Sequence, residues 1–167
     1  LEQDNTIVEN SKFVGMLGSI RKGYFHEREK ISLECNVRLD PQACRKVFHA
    51  PWQVTITPVD TCGIVRLKDE RYQKVKTTKT PLVKVLMENY KIWSNNSRAR
   101  NIDFNKQSSI LYDTVAIYLA YSEEFVTIEE LGVKVDEKGY TLIDDSAPKI
   151  RCATQWKNFD GFKDHLV

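Results

Sequence analysis

Apolar residues in this chain occur in two patterns, short runs and longer stretches with helical spacing, and the run at 52–59 is rich in β-branched residues. Short runs at 12–17, 33–37 and 52–59 predict strands; the first is followed by Gly18, and the last ends at Pro58 and Asp60. Three further short runs, at 132–135, 140–143 and 150–154, also predict strands. The segments between these runs are long enough to hold helices.

The most recognisable helix start is Asp40-Pro41, since aspartate is a favoured N-cap and proline fits the first helical position. This helix is expected to bury Ala43, Cys44 and Val47. Apolar spacing also predicts helices over 67–75, 81–94 and 109–121, and either Asn158 or Asp160 is expected to cap a last helix that ends at residue 166.

The helix over 81–94 carries a regular series of apolar residues that we expect in the core. Thr80 is available as its N-cap, with Pro81 in the first turn. The expected core residues are Leu82, Val85, Leu86, Tyr90 and Trp93. The polar segment 95–107 that follows has no pattern, and we interpret it as a mobile loop near a site mouth.

Alternating strands and helices predict an α/β fold: a mainly parallel open sheet flanked by helices, with a small antiparallel extension within 133–154. The length of 167 residues suits a single unit. Hydrophobic residues make up 41% and charged residues 29%, as in ordinary folded proteins.

Charge and cysteine usage exclude several function classes. The formal net charge is +2, and the densest basic stretch, 74–79, lacks the interleaved aromatics that stack bases, so no nucleic-acid partner is expected. The four cysteines form no Cys-x-x-Cys pair, which predicts free buried thiols. No apolar run of about 18 residues is present, so no membrane partner is expected. We favour the cytoplasm but assign no compartment, since the chain starts at Leu1 and not at Met.

Polar groups follow the apolar runs at three places. They are Leu33-Glu34-Cys35-Asn36 leading to Asp40-Pro41, then 54–61 with the sequence VTITPVDT, and then Leu111-Tyr112-Asp113. Ligands of open α/β sheets bind outside the carboxyl ends of the strands. The three segments therefore predict one wall of a small-molecule site.

Together with 12–19 (KFVGMLGS), these segments resemble, in order, the C-terminal half of the inosine-uridine preferring nucleoside hydrolase family. The resemblance implies an enzyme that splits the N-glycosidic bond of ribonucleosides with a bound calcium ion. The family opens with an aspartate-rich strand end, Asp-x-Asp-x-Gly-x-Asp-Asp, which supplies most calcium ligands and the catalytic base. This sequence contains no such segment, so the expectation is a C-terminal part of a larger domain, inactive alone.

Glu34 and Asn36 are the first candidate substrate-binding residues. These residues are two positions apart on a predicted strand, so their side chains point to the same face of the sheet. There, a carboxylate and an amide can hold sugar hydroxyls. The resemblance likewise implies that both contact the ribose. Without it, a surface ion pair for Glu34 and a turn role for Asn36 are the favoured interpretation. Met16 is a further candidate for packing against the sugar or base.

Asp113, in the first turn of a predicted helix, stands where the family has a calcium ligand, although one carboxylate is far too few for this ion. Its alternative role is helix capping. Tyr112 stands where many members have a histidine that protonates the leaving base; tyrosine is a poorer acid but a good stacking surface. Tyr24 stands roughly where members carry an asparagine, in the altered segment 21–30.

Four other polar residues have weaker connections to the site. Asp60 is interpreted as a loop-ordering residue that accepts backbone N–H groups. His49 and His165 are expected at the surface, and only His26 merits a test as a proton donor.

Two other functions stay open beside the hydrolase: a non-catalytic sugar- or nucleoside-binding or scaffold domain of the same fold, and an unrelated α/β enzyme that uses Glu34 or Asp113 as acid or base. The exposed strand edge expected of a half-sheet predicts a homo-oligomer.

Overall fold

The computed structural model describes residues 3–24, 30–96 and 102–167, which form two compact units. The first unit comprises the described residues up to Ile64 together with Tyr112–Lys157. The second comprises Val65–Leu111 and Asn158–Val167. The candidate substrate-binding and metal-binding residues all belong to the first unit.

A five-stranded sheet forms the centre of the first unit. Its strands are β1 (Lys12–Met16), β2 (Gln53–Thr57), β3 (Val126–Val135), β4 (Thr141–Ile143) and β5 (Lys149–Trp156), in the order β1-β2-β5-β3-β4. The pairs β1/β2 and β2/β5 are parallel, whereas β3 is antiparallel to both β5 and β4. The expected α/β fold with an antiparallel extension is confirmed.

Seven α-helices occur among the described residues, and a short 3-10 turn at Thr6–Asn10 precedes β1. They are α1 (Cys35–Leu39), α2 (Pro41–His49), α3 (Val59–Cys62), α4 (Asp69–Thr77), α5 (Pro81–Ser94), α6 (Tyr112–Leu119) and α7 (Phe159–His165). Of these, α4, α5 and α7 lie in the second unit. None of the described helices is long and apolar enough to cross a bilayer.

The prediction of a strand over 33–37 is wrong, because this segment turns into α1. Glu34 is the N-cap of that helix, and its carboxylate accepts the backbone N–H groups of Asn36 and Val37. Such a side-chain cap satisfies N–H groups that a helix start leaves without partners. The local capping bonds therefore override the strand-like alternation.

The start of α2 is confirmed, with Asp40 Oδ1 accepting from Ala43 N at 2.9 Å and Pro41 at the first position. The buried face of α2 agrees only partly with the expected one. Cys44 is buried as expected and Phe48 is also buried, whereas Ala43 is exposed. Val47 is half-buried and packs against the core. The core of this unit joins residues of the segment after β1, of α1 and α2, and of the sheet, namely Ile20, Val37, Cys44, Phe48, Val54, Ile56, Val133, Val135, Ile150 and Cys152.

The helix over 81–94 is confirmed as α5, but its expected core face is wrong for four of the five residues. Tyr90 turns inward, where its ring lies 5.4 Å from that of Phe104 and 6.4 Å from that of Tyr72. Its hydroxyl donates to the Gln107 carbonyl at 2.8 Å. These contacts fix the rotation of α5 about its axis. The other four residues expected in the core are exposed as a result. Of the loop expected over 95–107, residues 97–101 lie outside the described residues.

We expect Asp40→Ala to lower the free energy of unfolding by about 1 kcal/mol, since it leaves the first turn of α2 without its side-chain acceptor. Asp40→Asn keeps an acceptor at this position and should cost much less. Urea unfolding of the three proteins measures the difference, and an equal loss in both variants would show that the cap is not the cause.

Candidate functional site

The candidate site begins where β1 and β2 end side by side. Met16 and Thr57 are partners in the parallel register, so the segments that follow them leave the same edge of the sheet. After β2 the chain enters α3 with Pro58 as N-cap, and Gly18 O accepts from Val59 N at 2.9 Å. This is the carboxyl edge at which the sequence places a ligand site.

Glu34 is one of two carboxylates that hold this edge together. It is 1% exposed, and Oε2 accepts from Gly18 N at 3.2 Å and from Val37 N at 3.1 Å. Oε1 accepts from Asn36 N at 2.8 Å. A buried carboxylate needs such donors to offset its lost hydration. Glu34 thus joins the end of β1 to the start of α1.

Asn36 makes a second connection between the same two elements. Its Nδ2 donates to Met16 O at 3.0 Å and lies 3.4 Å from Met16 Sδ. The expected proximity of Met16, Glu34 and Asn36 is therefore present. Its structural basis is the first turn of a helix, and the same-face reasoning from a strand is wrong.

Asp60 is the second buried carboxylate, and it orders the segment after β1. Its Oδ2 accepts from Ile20 N at 2.8 Å, while Oδ1 accepts from Arg21 N at 2.7 Å and from Lys22 N at 3.1 Å. Three consecutive N–H groups that point at one carboxylate fix the local backbone. The expected loop-ordering role of Asp60 is confirmed.

Thr141 is a residue of this site that sequence reasoning missed. Its hydroxyl accepts from Ser19 N and donates to Ser19 O, both at 2.9 Å. The same hydroxyl lies 2.8 Å from where a Cβ on Gly18 would be, and Gly18 has a φ of +80°. Glycine is required here by both the space and the backbone conformation. Only the fold brings Thr141, 122 residues away along the chain, to this point.

Two tyrosines lie beside the start of α1. The Tyr24 hydroxyl accepts from Cys35 N at 3.0 Å. Its ring meets that of Tyr112 edge to face, with centroids 6.1 Å apart. Burial raises the pKa of Tyr24, and the charge of Glu34 raises it further, so the phenol stays protonated at neutral pH. The structure thus brings both predicted aromatic residues together at the site.

Asp113 is exposed in the first turn of α6, directly after Tyr112. The pKa of the buried Cys62 thiol is raised mainly by burial, and the charges of Glu34 and Asp113 both add to the shift. Cys62 thus lies within electrostatic reach of the two carboxylates. Across residues 3–24, 30–96 and 102–167, no three His, Cys, Asp or Glu side chains form a group able to hold a metal ion. These residues alone do not fit a calcium site.

Arg21 adds an ion pair to the ordered segment. Its guanidinium donates to Glu129 of β3 through two bonds, at 2.7 and 2.9 Å. The Thr154 hydroxyl of β5 donates to the same carboxylate. The bond from Arg21, then that from Thr154, lowers the pKa of Glu129 to about 2. Arg21 is thereby held at both its backbone and its side chain.

The exposure of the cysteines and histidines agrees with the expected one at most positions. All four cysteines are free, and Cys44, Cys62 and Cys152 are buried as expected. Cys35 is exposed at the site, so the expectation of burial is wrong there. His49 and His165 are exposed as expected. His26 lies outside the described residues, as do residues 25–29 of the altered segment.

The fold and this polar edge define an α/β domain whose candidate small-molecule site lies at the carboxyl ends of parallel strands. A family model described as inosine-uridine preferring nucleoside hydrolase matches residues 1–164. The chain belongs to the inosine-uridine preferring nucleoside hydrolase family, which confirms the resemblance seen in the sequence.

Solved structures of nucleoside hydrolases share the fold. A plant nucleoside hydrolase matches with a TM-score of 0.78 and 15% identity, over 99% of this chain and 55% of that one. A purine-preferring ribonucleoside hydrolase from Gardnerella vaginalis matches with a TM-score of 0.70 and 19% identity, over 94% of this chain and 51% of that one. An inosine-uridine preferring nucleoside hydrolase from Bacillus anthracis matches with a TM-score of 0.70 and 17% identity, over 99% of this chain and 54% of that one. The chain spans about half the length of these structures. No curated protein sequence matches it.

Asp60→Asn should lower the free energy of unfolding by about 1–3 kcal/mol, since an amide replaces one acceptor oxygen by a donor that faces backbone N–H groups. Asp145→Asn, an exposed aspartate of the same unit, is the matched control and should change little. Urea unfolding compares them; equal stabilities would show that the three bonds to Asp60 do not hold this segment.

Glu129→Gln tests the ion pair through its pH dependence. Because the folded-state pKa is about 2 and the ordinary value is 4.5, Glu129 stabilises the fold above about pH 4.5, and this contribution is lost as pH falls toward 2. The variant should be less stable by about 1 kcal/mol at pH 7, given that the pair is partly exposed, and the gap should close in acid. Glu130→Gln, at an exposed neighbouring position, is the control. A gap that is constant with pH would contradict the ion pair as its cause.

Proposed function

We propose that the whole protein is a hydrolase that cleaves the N-glycosidic bond of ribonucleosides to give ribose and the free base. One observation carries the proposal: Glu34 and Asn36, in the first turn of α1, are bonded directly to the end of β1. An acid and an amide that accept and donate hydrogen bonds thereby lie together at the sheet edge. Membership of the nucleoside hydrolase family supports the same chemistry.

The reaction adds water across the bond between the sugar and the base. The water oxygen bonds to the ribosyl carbon, the C–N electron pair stays with the base nitrogen, and one water proton ends on the base. Positive charge builds on the sugar as the bond breaks, so nearby carboxylates favour the transition state. A carboxylate has about four acceptor positions, and Glu34 uses three of them for backbone N–H groups. The remaining position would accept a ribose hydroxyl.

The base side of the site is assigned to Tyr24, Tyr112 and Met16. The two rings meet at nearly right angles, and the Tyr112 ring is the surface on which the base would stack. The Met16 thioether, next to Asn36 Nδ2, would contact the sugar or base. Protonation of the departing base is not assigned to either tyrosine, because a protonated phenol at neutral pH is a weak acid.

Asp113 is proposed as one ligand of a calcium ion. Calcium takes six to eight oxygen ligands, and among the described residues no group of three His, Cys, Asp or Glu side chains includes Asp113. No step is derived through the metal, and no described residue is assigned as the base that activates water. The cleavage activity is a proposal for the whole protein only.

A second candidate function is a non-catalytic nucleoside- or sugar-binding domain of the same fold. The observation that favours it is the state of Glu34, which is buried and accepts three backbone N–H groups. Carboxylates used in this way commonly stabilise structure. Binding without bond cleavage in the whole protein would favour this candidate.

The test is release of ribose from inosine and uridine by the whole protein in the presence of calcium, beside calorimetric binding of the same nucleosides. Asp113→Asn should lower turnover about 100-fold or more, whereas Asp145→Asn should leave it unchanged. Both aspartates are exposed, so neither change should affect folding. Equal turnover in the two variants would remove Asp113 from the site, and a folded protein that neither binds nor cleaves nucleosides would overturn the proposed function.

A further inference from the structure

Two tyrosine rings on the base side of the candidate site stand nearly perpendicular to each other. The planes of Tyr24 and Tyr112 make an angle of 87°, with centroids 6.1 Å apart, and we call these two residues the ring pair. Both are half-buried, so each keeps part of its surface open. Aromatic faces carry negative electrostatic potential, and rings set at an angle are the walls of the aromatic cages that bind organic cations. The ring pair therefore has the geometry of a partial cation cage.

The position of one ring is fixed by the start of α1. The Tyr24 hydroxyl accepts from Cys35 N at 3.0 Å, and Cys35 is the first residue of that helix. The preceding residue, Glu34, is the N-cap. This single bond therefore holds the Tyr24 side chain beside the residue that carries the buried carboxylate.

The charge of Glu34 acts on the same place. Glu34 is 1% exposed and accepts three backbone N–H groups, and across residues 3–24, 30–96 and 102–167 no ion pair includes it. Burial raises the pKa of Tyr24, and the charge of Glu34 raises it further, so this charge reaches the phenol. Charges interact more strongly in a buried environment than in water. A positive charge bound at the Tyr24 ring would be stabilised by Glu34.

We propose that the ring pair selects ribosides whose base is a cation, that is, a heteroaromatic ring with a positively charged nitrogen such as a pyridinium or an N-alkylated purinium. The inference rests on the proposed function, because the sugar lies at Glu34 and Asn36 as proposed there. It adds the charge of the base as a determinant of specificity. Neutral nucleosides bind in the same place but more weakly.

Cleavage of a cationic riboside places no demand on a proton donor. The water oxygen bonds to the ribosyl carbon, and the C–N electron pair moves to the ring nitrogen, whose positive charge it neutralises. The base leaves without taking up a proton, and one water proton is released to solvent. This chemistry suits the ring pair, since a phenol that stays protonated at neutral pH is a weak acid.

The test is calorimetric binding of two C-ribosides to the whole protein in the presence of calcium. One carries a cationic 1-methylpyridin-3-yl ring and the other a neutral 3-methylphenyl ring of the same shape. Their sugar is joined through carbon, so neither is cleaved during the titration. We expect a dissociation constant about tenfold lower for the cation. Ribose release from inosine is measured beside it.

Substitutions locate the source of the preference. Tyr112→Leu removes one ring and should reduce the preference to about threefold or less, whereas Tyr112→Phe keeps the ring and should retain it. Glu34→Gln should also reduce it, and because both ligands carry the same sugar, any lost sugar contact cancels in the ratio. Tyr121→Leu is the control, since Tyr121 is 64% exposed in the first unit and lies outside the ring pair. Circular dichroism verifies that each variant is folded.

The failure of this inference is distinguishable from that of the proposed function. Equal dissociation constants for the two C-ribosides, or binding of neither, in a protein that cleaves inosine would overturn the preference for a cation and leave the hydrolase in place. A preference that is unchanged in both Tyr112→Leu and Glu34→Gln would remove the ring pair as its cause. A folded protein that binds neither C-riboside and does not bind or cleave inosine would overturn the proposed function, and this inference with it.

Discussion

The candidate site depends on two buried carboxylates that hold backbone N–H groups at the end of β1. Asp60 accepts from Ile20, Arg21 and Lys22, and Glu34 accepts from Gly18 and from the first turn of α1. Each carboxylate needs these donors, because burial without them would cost several kcal/mol. The bonds therefore fix both the segment after β1 and the start of the helix that follows it.

Much of the fold followed from the pattern of the sequence. The β-branched run before Pro58 and the Asp40-Pro41 cap are local signals, and the structure has β2 and α2 at those places. The short helix α1 did not follow, because its start depends on the local cap by Glu34 together with a bond between residues 16 apart, Gly18 N to Glu34. The rotation of α5 was missed for a similar reason, since contacts of Tyr90 with Phe104 and Gln107 decide which apolar face turns inward.

At the candidate site, several nominated residues lie close together, although their geometry differs from the expected one. Met16, Glu34 and Asn36 are joined by hydrogen bonds, and Tyr24 meets Tyr112, although the reasoning from a shared strand face was wrong. Thr141 could not be nominated, since a threonine in a short strand carries no local signal of a partner 122 residues away. The resemblance to a family supplied the candidates, and long-range hydrogen bonds determine how they are arranged.

The central claim is that a nucleoside binds at the end of β1, with its sugar at α1. A crystal structure of the chain with inosine bound tests this most directly. The account predicts ribose hydroxyls within about 2.7–3.2 Å of the Glu34 carboxylate and the Asn36 amide, with the base against Tyr112. Inosine bound at another place, with these residues still making only the hydrogen bonds described here, would contradict it.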